Sequence, residues 1–341
     1  MRTLKAALAL LIITLSFLSG QAQTRFDNLE FKQFSTPEGL PNSMVHQVYQ
    51  DRDGYIWIST FYGLFRYDGY EVRTYKSNLY TPGLLVNNNV ICVEEDYSHR
   101  LWIGTHEGLC VLDKQTGKMR KMKLEGISKH RLNEIHVTKD NKVYLGYIRG
   151  MACYNAELDT LELMTSKNCK GEVPEQINIQ TLLEDENGDL LIGTWQDGLF
   201  HYNIKENKFT HYPPLDESNS VLALFQDSKG ALWVGTSGSG LYKVNFSPDK
   251  KTLSVEKAYK HDALNTLSLS SDYIYSIHED LQTHSLWLGT RNGVSIMDLT
   301  DEGKFINYRE SGSEHYLPVR EVNTVFRDKN GLMWIGTKGA G

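Results

Sequence analysis

Features that mark most enzymes and nucleic-acid binders are missing from this sequence. Cysteine occurs four times in 341 residues, at Cys92, Cys110, Cys153 and Cys169, with no Cys-x-x-Cys spacing and no histidine at metal-ligand spacing. That excludes zinc-finger and thioredoxin-type frameworks. Lys and Arg number 36 against 42 Asp and Glu, a net charge of −6, so there is no basic excess to hold nucleic acid. A Gly-x-Ser-x-Gly elbow, a His-Glu-x-x-His pair and a Walker loop are all lacking, which removes the hydrolase, zincin and nucleotide-binding patterns that depend on them. Carboxylates are plentiful but fall at turn positions, so no glycosidase pair stands out. No cofactor and no metal are expected.

A long hydrophobic run is also lacking beyond the first 22 residues. There, Arg2 and Lys5 precede a nearly apolar stretch from Ala6 to Leu18, and Gly20-Gln21-Ala22 puts small residues where a signal peptidase cuts. The run is short for a membrane span and no cysteine follows it to carry a lipid, so residues 1–22 read as a secretory signal peptide and residues 23–341 as the mature protein. Export would permit disulfides. The four cysteines are nevertheless expected as buried thiols, because Cys92 and Cys110 replace apolar residues at strand positions and free cysteine behaves as a small hydrophobe.

What the sequence has in abundance is one motif. Aligned on a Gly-Thr pair, the copies are Trp57-Ile58-Ser59-Thr60, Trp102-Ile103-Gly104-Thr105, Tyr144-Leu145-Gly146-Tyr147, Leu191-Ile192-Gly193-Thr194, Trp233-Val234-Gly235-Thr236, Trp287-Leu288-Gly289-Thr290 and Trp334-Ile335-Gly336-Thr337. Anchors at 59, 104, 146, 193, 235, 289 and 336 are separated by 45, 42, 47, 42, 54 and 47 residues. A period of about 40 to 50 residues indicates a propeller or solenoid. Five of the six tryptophans occupy the same place in the unit, as a repeated packing site requires. Within a unit an alternating apolar segment leads to an Asp-x-x-Gly turn, the Trp-Ile-Gly-Thr strand, a glycine-containing turn and further strands rich in β-branched and aromatic residues. This is a four-stranded meander.

The expected fold is therefore all-β: a seven-bladed β-propeller of four-stranded antiparallel blades. The last blade is incomplete, because the seventh unit stops at Gly341 after two strands. Phe31-Lys32-Gln33-Phe34 is expected to supply its outer strand, closing the ring across the termini. The glycines Gly104, Gly193, Gly235, Gly289 and Gly336 are read as packing positions where a side chain would strike a neighbouring blade. The acidic turns Asp51-Arg52-Asp53-Gly54 and Asp185-Glu186-Asn187-Gly188 are read as turns, not calcium loops. They lack the remaining ligands, and Asp and Asn make such turns by bonding their own backbone.

The stretch Asn42-Ser43-Met44-Val45-His46-Gln47-Val48-Tyr49-Gln50-Asp51-Arg52-Asp53-Gly54-Tyr55-Ile56-Trp57-Ile58, continued by Gly63-Leu64-Phe65-Arg66-Tyr67-Asp68 and repeated in later units, resembles the two-component regulator propeller repeats of hybrid sensor kinases from Bacteroidetes. The resemblance covers Phe31 to Gly341. It implies a non-catalytic, periplasmic sensory domain, the amino-terminal part of a longer inner-membrane protein. Such a parent continues with a second propeller, a small β domain, a membrane span, a histidine kinase, a receiver and a DNA-binding helix-turn-helix. It also implies homodimerisation of the parent, contact with its remaining periplasmic domains, and transcriptional control in response to oligosaccharides. A stand-alone secreted propeller that binds a glycan or a protein, and a propeller glycan lyase or hydrolase, are the alternatives, because one fold hosts many functions.

In propeller geometry the turns after each Trp-Ile-Gly-Thr strand share a face with the loops leading into each inner strand. The turns carry Phe61, Tyr62, His106, Glu107, Arg149, Trp195, Gln196, Arg291, Asn292 and Lys338; the lead-in loops carry Asn42, Asn88, Asn89, Asn133, Asn178 and Asn323. Aromatic faces with charged and amide partners suit an oligosaccharide, and Arg149, Arg291 and Lys338 suit an acidic one. Phe61, Tyr62, His106, Arg149, Trp195, Arg291 and Lys338 are thus the candidate ligand-binding residues. Trp195 stands out as the one tryptophan outside the repeated position. Ordinary solvated turns would show the same polarity.

Overall fold

The computed structural model describes residues 26, 29–34, 44–77, 84–122, 131–215, 219–247, 250–309, 315–317 and 320–339. The expected signal peptide and Asn42 lie outside them. Residues 1–33 and residues 34–341 form separate units, and the strands described all belong to the second.

The described residues contain strands and no helix, and none could cross a membrane as an apolar helix. Six antiparallel meanders run in sequence order, from an inner strand outward. They cover residues 45–75, 90–122, 132–164, 179–212, 221–259 and 274–309. Blade one shows the pattern, with strands Val45–Gln50, Ile56–Thr60, Gly63–Tyr67 and Val72–Tyr75. Blades four and six each add a short fifth strand in parallel, Lys170–Gly171 and His315–Tyr316. The extended connection in the fifth unit contains that blade's outer strand, Leu253–Tyr259, whose side chains are largely exposed.

Two expectations need correction. Among the described residues there are six full blades, not seven: the seventh unit forms a two-stranded sheet, Val322–Arg327 with Met333–Thr337. Residues 29–34 belong to no strand. An outer strand needs a third-strand edge to hydrogen-bond with, and no such edge stands beside Met333–Thr337 among the described residues. Phe34 instead packs its ring on Tyr67 and Trp334, with centroids 4.8 and 5.8 Å apart. Trp334 is consequently only half-buried, whereas Trp57, Trp102 and Trp233 are at most 1% exposed.

The ring still closes through the seventh sheet. Met44 bridges Lys338, and the Asn323 amide donates to the Val45 carbonyl at 2.8 Å. One latch recurs around the ring: the amide that follows the first residue of the turn in one blade donates to a side chain at or next to the end of the inner strand of the next. Arg52 N reaches Glu95 Oε2 (2.8 Å), Lys139 N reaches Glu184 Oε2 (3.0 Å) and Ser228 N reaches Glu279 Oε2 (2.6 Å). Across the seam between last sheet and first blade, Lys329 N reaches Gln50 Oε1 at 2.8 Å.

Packing accounts for the repeated residues. A Cβ on Gly193 would lie 2.7 Å from Val221 Cγ1 of the next blade, and one on Gly336 would lie 2.6 Å from Val45 Cγ1. Real Cβ atoms do not approach that closely, so interior density dictates glycine. The turn acid serves the framework. Asp51, Asp96, Asp227 and Asp328 accept the indole N–H of Trp57, Trp102, Trp233 and Trp334 at 2.8–2.9 Å, and their other oxygen caps turn amides. Cys92 and Cys110 are buried free thiols as expected; Cys153 and Cys169 are free but only half-buried, because they sit in the outer half of blade three and the connection that follows it.

Candidate functional site

One backbone hydrogen bond defines the rim of the ring. The residue that follows the second strand donates to the carbonyl of the residue that leads into the inner strand. The bonds run from Phe61 to Met44, His106 to Asn89, Ile148 to Arg131, Trp195 to Asn178, Ser237 to Ser220, Arg291 to Tyr273 and Lys338 to Glu321, at 2.8–3.3 Å. Every sheet obeys it, because the second strand ends beside the start of the first in each antiparallel pair. Turns and lead-in loops therefore share one end of every sheet. Phe61, His106, Trp195, Arg291 and Lys338 occupy the same repeat position, and Tyr62 and Arg149 the next one.

All seven candidates are exposed. The aromatic three keep large open faces, with Phe61 46%, Tyr62 54% and Trp195 40% accessible, so their rings are free to stack on a partner. Phe61 and Tyr62 meet edge to face at 5.3 Å. Arg291 lies over the Tyr273 ring at 5.0 Å, and Lys338 pairs with Glu321 at 2.9 Å. Both cations are thus oriented, while Arg149 stands on the turn of blade three.

The lead-in asparagines behave differently from the expectation that they face a ligand. The Asn133 amide donates to Asn178 Oδ1 (2.8 Å) and to the Ile179 carbonyl (2.6 Å). Asn89 Oδ1 meets the His46 ring at 2.9 Å, Asn88 closes on Ser77 in both directions, and Asn323 ties the seam. Their hydrogen-bonding capacity goes to neighbouring blades and loops. Burial holds His46 down to about 4, so its ring is neutral at physiological pH.

The sequence did not point to Tyr273 and Tyr275. Tyr273 takes the lead-in position that Asn89 and Asn178 hold elsewhere, and it stacks under Arg291. Burial raises the Tyr275 hydroxyl, with Glu321 adding to the effect. Together with Arg291, Glu321 and Lys338 they form an amphipathic patch between blade six and the seventh sheet. The departure from asparagine in the aligned repeats was the available signal.

Chemically, this rim can stack apolar ring faces and bind anionic or hydroxyl groups, and it stands on a β-propeller of repeated four-stranded sheets. Residues 39–62, 84–107, 216–238 and 316–339 match the two component regulator propeller family. The chain is 25% identical to the extracellular domain of the hybrid two component system BT3049 from B. thetaiotaomicron, with a TM-score of 0.73; the match covers 91% of this chain and 41% of that one. Over 67 residues it is 34% identical to histidine kinase P4 of Formosa agariphila, which is 20% of this chain and 5% of the kinase. The chain therefore spans less than half of either relative. The fold alone is shared with virginiamycin B lyase from Staphylococcus aureus, at 12% identity and a TM-score of 0.68 over 92% of this chain and 97% of that one.

Proposed function

We propose that this chain is an exported sensory propeller of a hybrid two-component system, and that the rim carrying Phe61, Tyr62, His106, Arg149, Trp195, Arg291 and Lys338 recognises an oligosaccharide. The observation that carries the reading is the likeness over 91% of the chain to the extracellular domain of such a system, joined to the family's repeats in four segments. The chain acts in the periplasm, within a parent that is anchored in the inner membrane, dimerises and carries the histidine kinase. It binds rather than catalyses. Ligand contacts bias the arrangement of the paired periplasmic domains, and the kinase reads that bias, since a ligand shifts an equilibrium by its differential affinity for the two states. Transcription responds downstream.

Titration calorimetry of a panel of neutral and acidic oligosaccharides tests the recognition step. One class is expected to bind, with Trp195→Ala weakening it by about tenfold or more, since aromatic anchors dominate such sites. A ligand whose affinity survives Trp195→Ala, Tyr62→Ala and Arg291→Ala together, or a panel without any ligand, refutes the rim as the binding face.

A further inference from the structure

The pairing of turn acid with tryptophan is kept in four sheets, and its exceptions are informative. In blade six one extra residue separates Asp280 from Trp287; the indole turns to Ser285 Oγ at 3.1 Å, and Asp280 pairs with Arg327. In blade three both partners change together, to Thr138 and Tyr144, and the threonine hydroxyl closes its own turn. Blade four keeps the acid, Asp185, and loses the tryptophan, which becomes Leu191. Leucine offers no donor, and a buried carboxylate without one is costly.

Asp185 Oδ1 accepts the turn amides of Asn187 (2.8 Å) and Asp189 (3.1 Å), which leaves Oδ2. His201, directly across the sheet from Leu191, points Nε2 at that oxygen from 3.9 Å and at Asp189 Oδ2 from 3.4 Å. Asp189 is fixed in turn by the Ile204 amide and the Asn203 side chain, both at 3.1 Å. All three residues are buried, and the His201 side chain is 6% exposed. Its Nε2 nonetheless makes no hydrogen bond. One oxygen from each carboxylate and one imidazole nitrogen lie within 4.8 Å of one another, a grouping found once among the described residues. Donors bonded to tetrahedral zinc at about 2.0–2.2 Å stand roughly 3.3–3.6 Å apart; His201 Nε2 stands 3.4 Å from the Asp189 oxygen and 3.9 Å from the Asp185 oxygen, so a small inward shift of the side chains would seat an ion.

The Lys250 ammonium, from the third-to-outer connection of blade five, also reaches Asp185 Oδ2. Its counterpart in blade two, Lys114, reaches back to Asp51 in the same way at 2.7 Å. There the indole of Trp57 completes the carboxylate. In blade four a second carboxylate and an unbonded imidazole nitrogen stand in the indole's place.

We propose that Asp185, Asp189 and His201 form a binding site for one divalent transition-metal ion of the zinc class, which exchanges with the Lys250 ammonium. A doubly charged ion balances two carboxylates and uses the imidazole lone pair; an ammonium does neither. The lysine side chain, 20% exposed, withdraws toward solvent, and water takes the fourth position. Metal loading thereby releases a tie between blades four and five. Binding of the ion requires no glycan on the rim.

Equilibrium dialysis against Zn²⁺ with metal analysis, and the visible spectrum of the Co²⁺-loaded chain, test it. Wild type is expected to take up one ion. Lys250→Met is expected to bind at least about tenfold more tightly and His201→Gln at least about tenfold more weakly, while His106→Ala on the rim is unchanged. Absence of stoichiometric uptake by both wild type and Lys250→Met, equal affinity in His201→Gln, or no gain in Lys250→Met overturns the site. Should His201→Gln fail to fold, the Co²⁺ spectrum decides: ligand-field bands of a four-coordinate ion support the site, and their absence from wild type and Lys250→Met refutes it.

Discussion

Removing the bond between Asp227 and Trp233 tests whether the repeat is held by a polar pair or only by apolar burial. Both residues are buried, and the indole donates at 2.9 Å to Oδ2 while Oδ1 accepts Lys229 N at 3.0 Å and Ala231 N at 2.8 Å. Asp227→Asn retains the turn acceptor but can set an amide N–H₂ against the indole N–H, two donors facing each other. Hydrogen bonds to charged groups contribute about 1.5–3 kcal/mol, so a loss of about 2–3 kcal/mol is expected. Trp233→Phe removes the donor and part of the ring, for a similar loss of about 2–3 kcal/mol. The double variant contains neither the facing donors of Asp227→Asn nor the unpaired carboxylate oxygen of Trp233→Phe, and should lose about 3–4 kcal/mol, giving a coupling of about 1.5 kcal/mol. Urea unfolding followed by far-ultraviolet circular dichroism measures all four corners without relying on tryptophan fluorescence. Losses that add within about 0.5 kcal/mol would refute the polar pair and leave burial as the whole explanation of the repeated tryptophan.

Three further expectations concern stability. Ser59, the one serine at the glycine position, is fully buried with an unbonded Oγ; Ser59→Ala should stabilise the chain by about 1 kcal/mol in the same assay, and a loss would show that the hydroxyl has a partner. Gly336→Ala should cost about 1–3 kcal/mol by forcing a methyl into Val45 and Thr324, whereas Gly336 replaced with no loss would mean that the seam is slack. Burial raises the half-buried Glu134 to about 8 and holds His136 down to about 4. A carboxyl raised in the folded state gives stability that is present below its unfolded value of about 4.3 and is lost as pH climbs through about 8. Glu134→Gln should therefore flatten that decline and be the more stable protein at pH 8 by about 2 kcal/mol. An unchanged slope between pH 5 and 8 would refute it. For His136 the sign reverses, and its contribution falls away as pH drops from about 6.5 toward 4.

The repeat made most of this architecture legible, because period, tryptophan and glycine each report a contact that recurs in every sheet. Gly336 announced the seam as plainly as Gly193 announced an ordinary junction. The outer-strand role for Phe31–Phe34 was not recoverable the same way, since strand character says nothing of whether an edge stands ready to pair. On the rim, chain order sufficed to place Trp195 and Arg291, because a hairpin fixes which end of the blade its turn occupies. It could not show that Asn133 and Asn178 would bond each other, which depends on how adjacent blades are set. His201 was invisible for a related reason: its meaning comes from facing Leu191 across a strand pair, ten positions away, where a tryptophan is absent.

The latch across the seam has a consequence for how the ring tolerates breakage. Lys329 and Gln50 join the last sheet to the first blade with the same bond that joins Ser228 to Glu279 in mid-chain. The polypeptide runs through the second junction and not the first, yet both set a backbone N–H on a side-chain oxygen, an amide oxygen at the first and a carboxylate oxygen at the second. Covalent continuity is therefore interchangeable with side-chain stitching at each such junction. A circularly permuted chain, cut between blades five and six and rejoined across the present seam by a short linker, should assemble the same circle of sheets.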